Sequence, residues 1–144
     1  MAVSMLVIIG LCLLHVCLAK EIVPKDLLIS TVIDPTSFEV SRDALTLLRS
    51  IRLFGGRMNE ATVLVSIALE PGGSMDEHAG LMAELHSLEV EVDFIEQPLA
   101  PRPKTLNKFS TFHKFDATRF AYFLWLDADV LVMEDPLEYV YRVV

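Results

Sequence analysis

Two aspartates one residue apart, Asp127 and Asp129, follow the apolar run at residues 122–126 (YFLWL). Two carboxylates this close repel each other, and a hard divalent cation bound through their oxygens removes that repulsion. Side chains at i and i+2 of an extended chain point to the same side, so both could reach one ion. The pattern predicts a cation site at this pair, with a solvated turn between two apolar segments as the alternative.

The residues before the pair must supply the elements that position it. Residues 26–33 (DLLISTVI) are apolar and β-branched, which predicts a buried strand that ends near the Asp-Pro turn at Asp34. Residues 41–54 carry apolar side chains at three- and four-residue steps, which predicts a helix with Ser41 as its cap and Gly55 at its end.

The same alternation continues toward the pair. Strands are predicted at residues 62–69 and 90–95, and a helix between them at 76–88. The length and aromatic content of 122–126 predict a buried central strand with Asp127 at its carboxyl end. The order predicts an α/β fold in which flanking helices cover a mostly parallel sheet, and such sheets bind ligands beyond the carboxyl ends of their strands.

Between the third predicted strand and 122–126 the pattern changes. Residues 98–104 (PLAPRPK) hold three prolines and predict an exposed loop. Residues 106–115 predict a short helix whose phenylalanines, three residues apart, pack on the core.

The first nineteen residues carry no charged side chain. Their apolar stretch is shorter than the roughly 20 residues of a membrane span, so we expect a cleaved secretory signal at 1–19, with a retained anchor as the alternative. This predicts a location in the secretory pathway (endoplasmic reticulum or Golgi lumen, or secreted), and a membrane partner only if the segment is retained. Both cysteines, Cys12 and Cys17, lie in it, so residues 20–144 can form neither a disulfide nor a thiolate metal site.

Composition and charge narrow the function classes. The 144 residues are 53% hydrophobic and 22% charged, which is typical of one globular domain. Twelve basic against 20 acidic side chains give a net charge of −8. This balance, with no basic run, argues against a nucleic-acid partner, but a phosphorylated small substrate held through a metal ion remains compatible.

The surroundings of the pair are more specific than the pair itself. The segment Trp125-Leu126-Asp127-Ala128-Asp129-Val130-Leu131-Val132, followed by Glu134-Asp135-Pro136-Leu137-Glu138, resembles nucleotide-sugar-dependent glycosyltransferases of the glycogenin-like family. The upstream LNKF at 106–109 is similar to a lysine-containing helix start in that family. The resemblance covers about residues 104–140, and over 26–99 it consists mainly of the order of strands and helices.

The resemblance implies a Rossmann-like GT-A fold and a nucleotide-diphosphate sugar as the donor. It implies that Asp127 and Asp129, with Ala128 between them, bind Mn²⁺ or Mg²⁺ against the donor diphosphate, where the metal acts as a Lewis acid. By the same resemblance Lys108 reaches the sugar or diphosphate, and Thr31 lies against the base or ribose. The acceptor, whether glycan, protein or lipid, is not implied.

The chain departs from the family after the acidic motif. Family members continue into a second half that supplies the acceptor surface and usually a metal-binding histidine, whereas this sequence has fifteen residues after Asp129 and no histidine among them. The expectation is an incomplete, donor-binding part of a transferase that by itself transfers little or no sugar. The alternatives are a truncated non-catalytic protein of the secretory pathway and a haloacid-dehalogenase-like phosphatase with Asp127 as nucleophile.

Overall fold

The computed structural model describes residues 22–96, 111, 116–135 and 137. These residues form an α/β fold in which a four-stranded, all-parallel sheet is flanked by helices, as the alternating pattern predicts. Its elements are β1 (Leu27–Ile33), α1 (Phe38–Phe54), β2 (Thr62–Leu69), α2 (Ala79–Ser87), β3 (Glu91–Glu96) and β4 (Tyr122–Trp125). Short 3-10 turns at Pro24–Asp26, Gly56–Glu60 and Met75–His78 precede β1, β2 and α2.

The sheet has the strand order β3-β2-β1-β4. β1 lies between β2 and β4. Leu28 of β1 is in register with Thr62 of β2, and Ser30 of β1 is in register with Trp125 of β4. The amide of Leu126 extends the second pairing by donating to the carbonyl oxygen of Ser30 at 2.9 Å. β2 and β3 therefore lie on one side of β1, and β4 lies on its other side.

β4 is less buried than the apolar content of its sequence predicts. Among the described residues β4 lies at the end of the sheet, and its four side chains are half-buried. Its apolar content reflects packing on both faces: Phe123 packs against the cluster of Leu28 and Phe120, whereas Tyr122 and Leu124 pack against the main core. A strand with both faces covered reads as continuously apolar wherever it lies in the sheet.

Helix α1 begins earlier than predicted. Ser37, rather than Ser41, is the cap, and its side chain accepts from the amide of Val40 at 3.4 Å. The amide of Ser37 donates to the carbonyl oxygen of Asp34 at 3.1 Å, which closes a turn that ends at Ser37. Ser37 therefore already lies beside the unpaired amides at the start of the helix and can cap them. Ser41 instead donates its hydroxyl to the same carbonyl oxygen at 3.5 Å.

The main core lies between α1 and the sheet. α1 buries one stripe of residues against β1 and β2: Ala44, Leu47, Leu48 and Ile51. The predicted stripe also included Phe54, which is 50% exposed because it lies at the margin of that stripe in the last turn of the helix. Burying one side of the helix against a parallel sheet supplies most of the hydrophobic stabilisation.

Arg52, near the end of α1, forms hydrogen bonds with the segments that precede β2 and β3. Its guanidinium donates to the carbonyl oxygens of Leu88 and Glu89 at 3.0 Å, of Ala61 at 3.2 Å, and of Asn59. Burial lowers the pKa of Arg52, and the charge of Glu89 opposes that shift. One side chain thus supplies donors to four carbonyl oxygens at the amino end of the sheet.

Several predicted features lie outside the described residues. They are the signal or anchor at 1–19, the proline-containing loop at 98–104, and most of the predicted helix at 106–115, including Lys108. Within the part of the chain that the structure describes, no helix is long and apolar enough to cross a membrane.

Candidate functional site

The strand order creates one distinctive place at the carboxyl end of the sheet. In open parallel sheets, ligands bind in the crevice where the strand order reverses, beyond the carboxyl ends of the strands. Here that place lies between β1, which ends at Ile33, and β4, which ends at Trp125. Asp127 follows β4 by two residues, so both aspartates of the motif lie at this end of the sheet.

The two aspartates lie on a turn, not on an extended chain. The amide of Val130 donates to the carbonyl oxygen of Asp127 at 3.1 Å, which places Ala128 and Asp129 at the centre of a four-residue turn. The extended chain predicted for these residues is therefore wrong, and the alternative of a turn is right about the backbone shape. A turn of this kind brings its end Cα atoms within about 7 Å, so both carboxylates stay on one short loop.

The turn contacts the core through Ala128, one of its two central residues. Ala128 is half-buried and packs against the main core, together with Leu126. Asp127 is half-buried, whereas Asp129 is exposed to solvent. The pair thus combines a carboxylate close to the sheet with one at the surface.

The donor set suits an ion that also binds phosphate. Among the described residues, no three side chains of His, Cys, Asp or Glu lie where they could hold a metal together. Asp127 and Asp129 supply two carboxylates within one four-residue turn. Mg²⁺-like cations are commonly bound by one or two carboxylates, with substrate phosphates and water completing the shell, and the pair fits that arrangement.

Thr31 is buried on the face of β1 that packs in the main core. It is 1% exposed and shares its strand face with Ile29 and Ile33, both in the main core beneath α1. Its hydroxyl has no hydrogen-bond partner in the described part of the chain. A direct contact between this hydroxyl and a nucleotide would require the core to open, and the predicted role of Thr31 stays a prediction.

Sequence reasoning did not single out Asp34, which follows β1 directly at the same end of the sheet. Its carboxylate accepts from the hydroxyl of Thr36 at 2.6 Å and from the amide of Thr36 at 3.1 Å. One carboxylate oxygen is therefore used to close the turn into α1. The Asp-Pro-Thr-Ser sequence signals that turn, but only the pairing of β1 with β4 places Asp34 near the motif.

Sequence reasoning did not place Phe38 in a helix, because it predicted that the helix begins at Ser41. As the first residue of α1 it is 79% exposed, and it lines a groove of about 530 Å³ between α1 and α2 with Pro35, Thr36 and His78. A second groove, at the amino end, is lined by Arg52, Glu60 and Glu89 among others. Neither of these two grooves is lined by Asp127 or Asp129.

Comparisons with protein-family models, with curated proteins and with solved structures found no match. The likeness to glycogenin-like transferases consequently depends on the motif at 125–138 and on LNKF at 106–109.

Proposed function

We propose that this chain is the nucleotide-sugar-binding part of a metal-dependent glycosyltransferase with a GT-A-like fold. One observation carries the proposal: the turn with Asp127 and Asp129 stands at the carboxyl end of β4, beside β1, where the strand order reverses. This is the place where open parallel sheets bind nucleotides, and two carboxylates are the ligands that a diphosphate-bound cation needs.

The residues of this chain have defined roles in the proposal. Asp127 and Asp129 hold the cation through carboxylate oxygens, and Ala128 fixes their turn on the core. Bound Mn²⁺ or Mg²⁺ supplies Lewis-acid stabilisation of the diphosphate leaving group. Lys108, which lies outside the described residues, adds by resemblance a positive charge near the sugar or diphosphate.

The remaining parts of the proposal come from the sequence. The donor is a nucleotide-diphosphate sugar, and the acceptor is a glycan, a protein or a lipid. The proposed location is the secretory pathway, on the evidence of the apolar segment at 1–19. A non-catalytic protein that only binds the nucleotide is the competing function, because the same turn serves binding without transfer.

Calorimetry of the unaltered chain tests the proposal. We expect UDP or GDP to bind in the presence of Mn²⁺ and to bind about tenfold more weakly, or not at all, in EDTA, because the carboxylates repel an unshielded diphosphate. The matched control ligand is UMP or GMP, which has no second phosphate to share the cation and should show a smaller metal dependence. Equal affinity for the diphosphate with and without Mn²⁺ would contradict the proposal.

A hydrolysis assay separates the phosphatase alternative. If Asp127 were a phosphatase nucleophile, the chain would hydrolyse p-nitrophenyl phosphate with Mg²⁺ and lose that activity in Asp127→Asn. Binding of UDP or GDP without such hydrolysis is the result that the proposed function predicts.

A further inference from the structure

The chain that leaves the motif returns along α1. Residues 130–135, here named the return segment, begin at the turn of Asp127 and Asp129. Val132 is buried, whereas Leu131 and Met133 on either side of it are 51% and 66% exposed. Outward-facing apolar side chains do not fasten a segment to the fold, so the contacts at Val132 and near Asp135 must hold it in place.

Ser50 of α1 provides the first contact. Its side-chain oxygen accepts from the amide of Val132 at 3.0 Å and donates to the carbonyl oxygen of Leu47 at 2.7 Å. Ser50 and Val132 are 3% and 6% exposed. Because the serine hydroxyl is both donor and acceptor here, removing it leaves a buried amide without its partner.

Asp135 provides the second contact. One of its carboxylate oxygens accepts from Nε of Arg57 at 2.9 Å and from the amide of Arg57 at 3.2 Å, and the other accepts from the amide of Leu137 at 2.9 Å. The side chain of Asp135 is 11% exposed. Burial alone would raise the pKa of Asp135, but these hydrogen bonds and the charge of Arg57 lower it overall.

Gly56 makes room for this second contact. Its φ is +54°, and a Cβ added to it would lie 2.6 Å from Cβ of Asp135. A side chain at position 56 would therefore be strained in its backbone and would collide with the aspartate. The 3-10 turn that follows α1 therefore has room for Asp135 because position 56 is glycine.

We infer that Ser50 and the pair of Arg57 and Asp135 are positioning residues for the cation site, an inference that rests on the proposed function. Asp129 lies three residues before Val132, so the first contact limits how far the exposed half of the motif moves from Asp127. The second contact holds the far end of the return segment, at Asp135, against the fold. Hydrogen bonds behind metal ligands commonly change metal affinity by 10- to 100-fold when removed.

The test compares two variants with two matched controls. Ser50→Ala removes the first contact, and Arg57→Gln removes the charge of the second. Thr46→Ala is the hydroxyl control, because Thr46 donates to the carbonyl oxygen of Arg42 on the exposed side of the same helix. Arg42→Gln is the charge control, because Arg42 pairs with Asp43 at the surface.

Two readouts are measured on the full chain. Mn²⁺ binding in the presence of UDP is followed by electron paramagnetic resonance, and amide hydrogen exchange is followed at Val130, Val132 and Val65. We expect about tenfold weaker Mn²⁺ binding in Ser50→Ala and Arg57→Gln, with faster exchange at Val130 and Val132 only. The core amide of Val65 should exchange as before, which separates local release from unfolding. Arg57→Lys, which keeps a cation, should recover part of the affinity.

The outcomes separate this inference from the proposed function. If the unaltered chain binds Mn²⁺ with UDP and both variants bind as well as their controls, the positioning role is overturned and the proposed function stands. If the unaltered chain binds no Mn²⁺, the proposed function is overturned and the positioning role with it. Weaker binding accompanied by faster exchange at Val65 would also overturn the inference, because the loss would then follow from general unfolding.

Discussion

Replacing Asp127 and Asp129 together by asparagine is expected to abolish Mn²⁺-dependent binding of UDP or GDP while leaving the far-ultraviolet circular dichroism unchanged. Asparagine keeps the size of the side chain and the turn propensity of aspartate, but it removes both negative charges that hold the ion. A loss of about 100-fold or more is expected, since a hard cation left with neutral oxygens and water has no charged protein ligand.

The control for this prediction removes the same charge elsewhere. Glu60→Gln combined with Asp116→Asn alters two exposed acidic residues that precede β2 and β4, at the opposite end of the sheet. This variant should bind the nucleotide as the unaltered chain does, apart from a small change from long-range electrostatics. Unchanged nucleotide affinity in the double variant of Asp127 and Asp129 would remove the basis for the cation site.

Arg52→Ala is expected to lower the free energy of unfolding by about 2 to 3 kcal/mol, because hydrogen bonds from a charged donor to carbonyl oxygens are lost at the connections before β2 and β3. Arg49→Ala, one turn earlier in the same helix, is the control. Arg49 makes an exposed ion pair with Glu84, and such pairs contribute about 0 to 1 kcal/mol. Urea denaturation followed by circular dichroism measures both, and equal losses would show that the contacts of Arg52 do not hold the amino end of the sheet.

The sequence predicted those parts of the fold that depend on local patterns. The strands predicted at 26–33, 62–69 and 90–95 lie within one residue of the observed bounds of β1, β2 and β3. The predicted start of α1 was wrong because Ser37 and Ser41 are both competent caps. The turn that begins at Asp34 decides which of them caps the helix. Local preference alone does not rank two such caps.

The candidate site was predictable in its residues but not in its geometry. The types and spacing of Asp127 and Asp129 drew attention to them, whereas the turn that carries them forms because the chain reverses onto α1 after β4. That reversal depends on contacts between residues far apart in sequence, such as Ser50 with Val132 and Arg57 with Asp135. No periodicity within a short window reports such pairs, so sequence reasoning placed Asp127 and Asp129 on an extended chain.

The most direct test of the account is to locate the cation. Paramagnetic broadening of backbone amide signals by Mn²⁺, added with UDP to the isotope-labelled full chain, reports distance from the ion at each residue. We expect the signals of residues 127–130 to broaden first, followed by that of Asp34 at the end of β1, while those of Glu60, Glu89 and Glu91 at the amino end stay sharp. Broadening centred on those three glutamates, or none near 127–130 when UDP is present, would contradict a nucleotide-cation site at the carboxyl ends of β1 and β4.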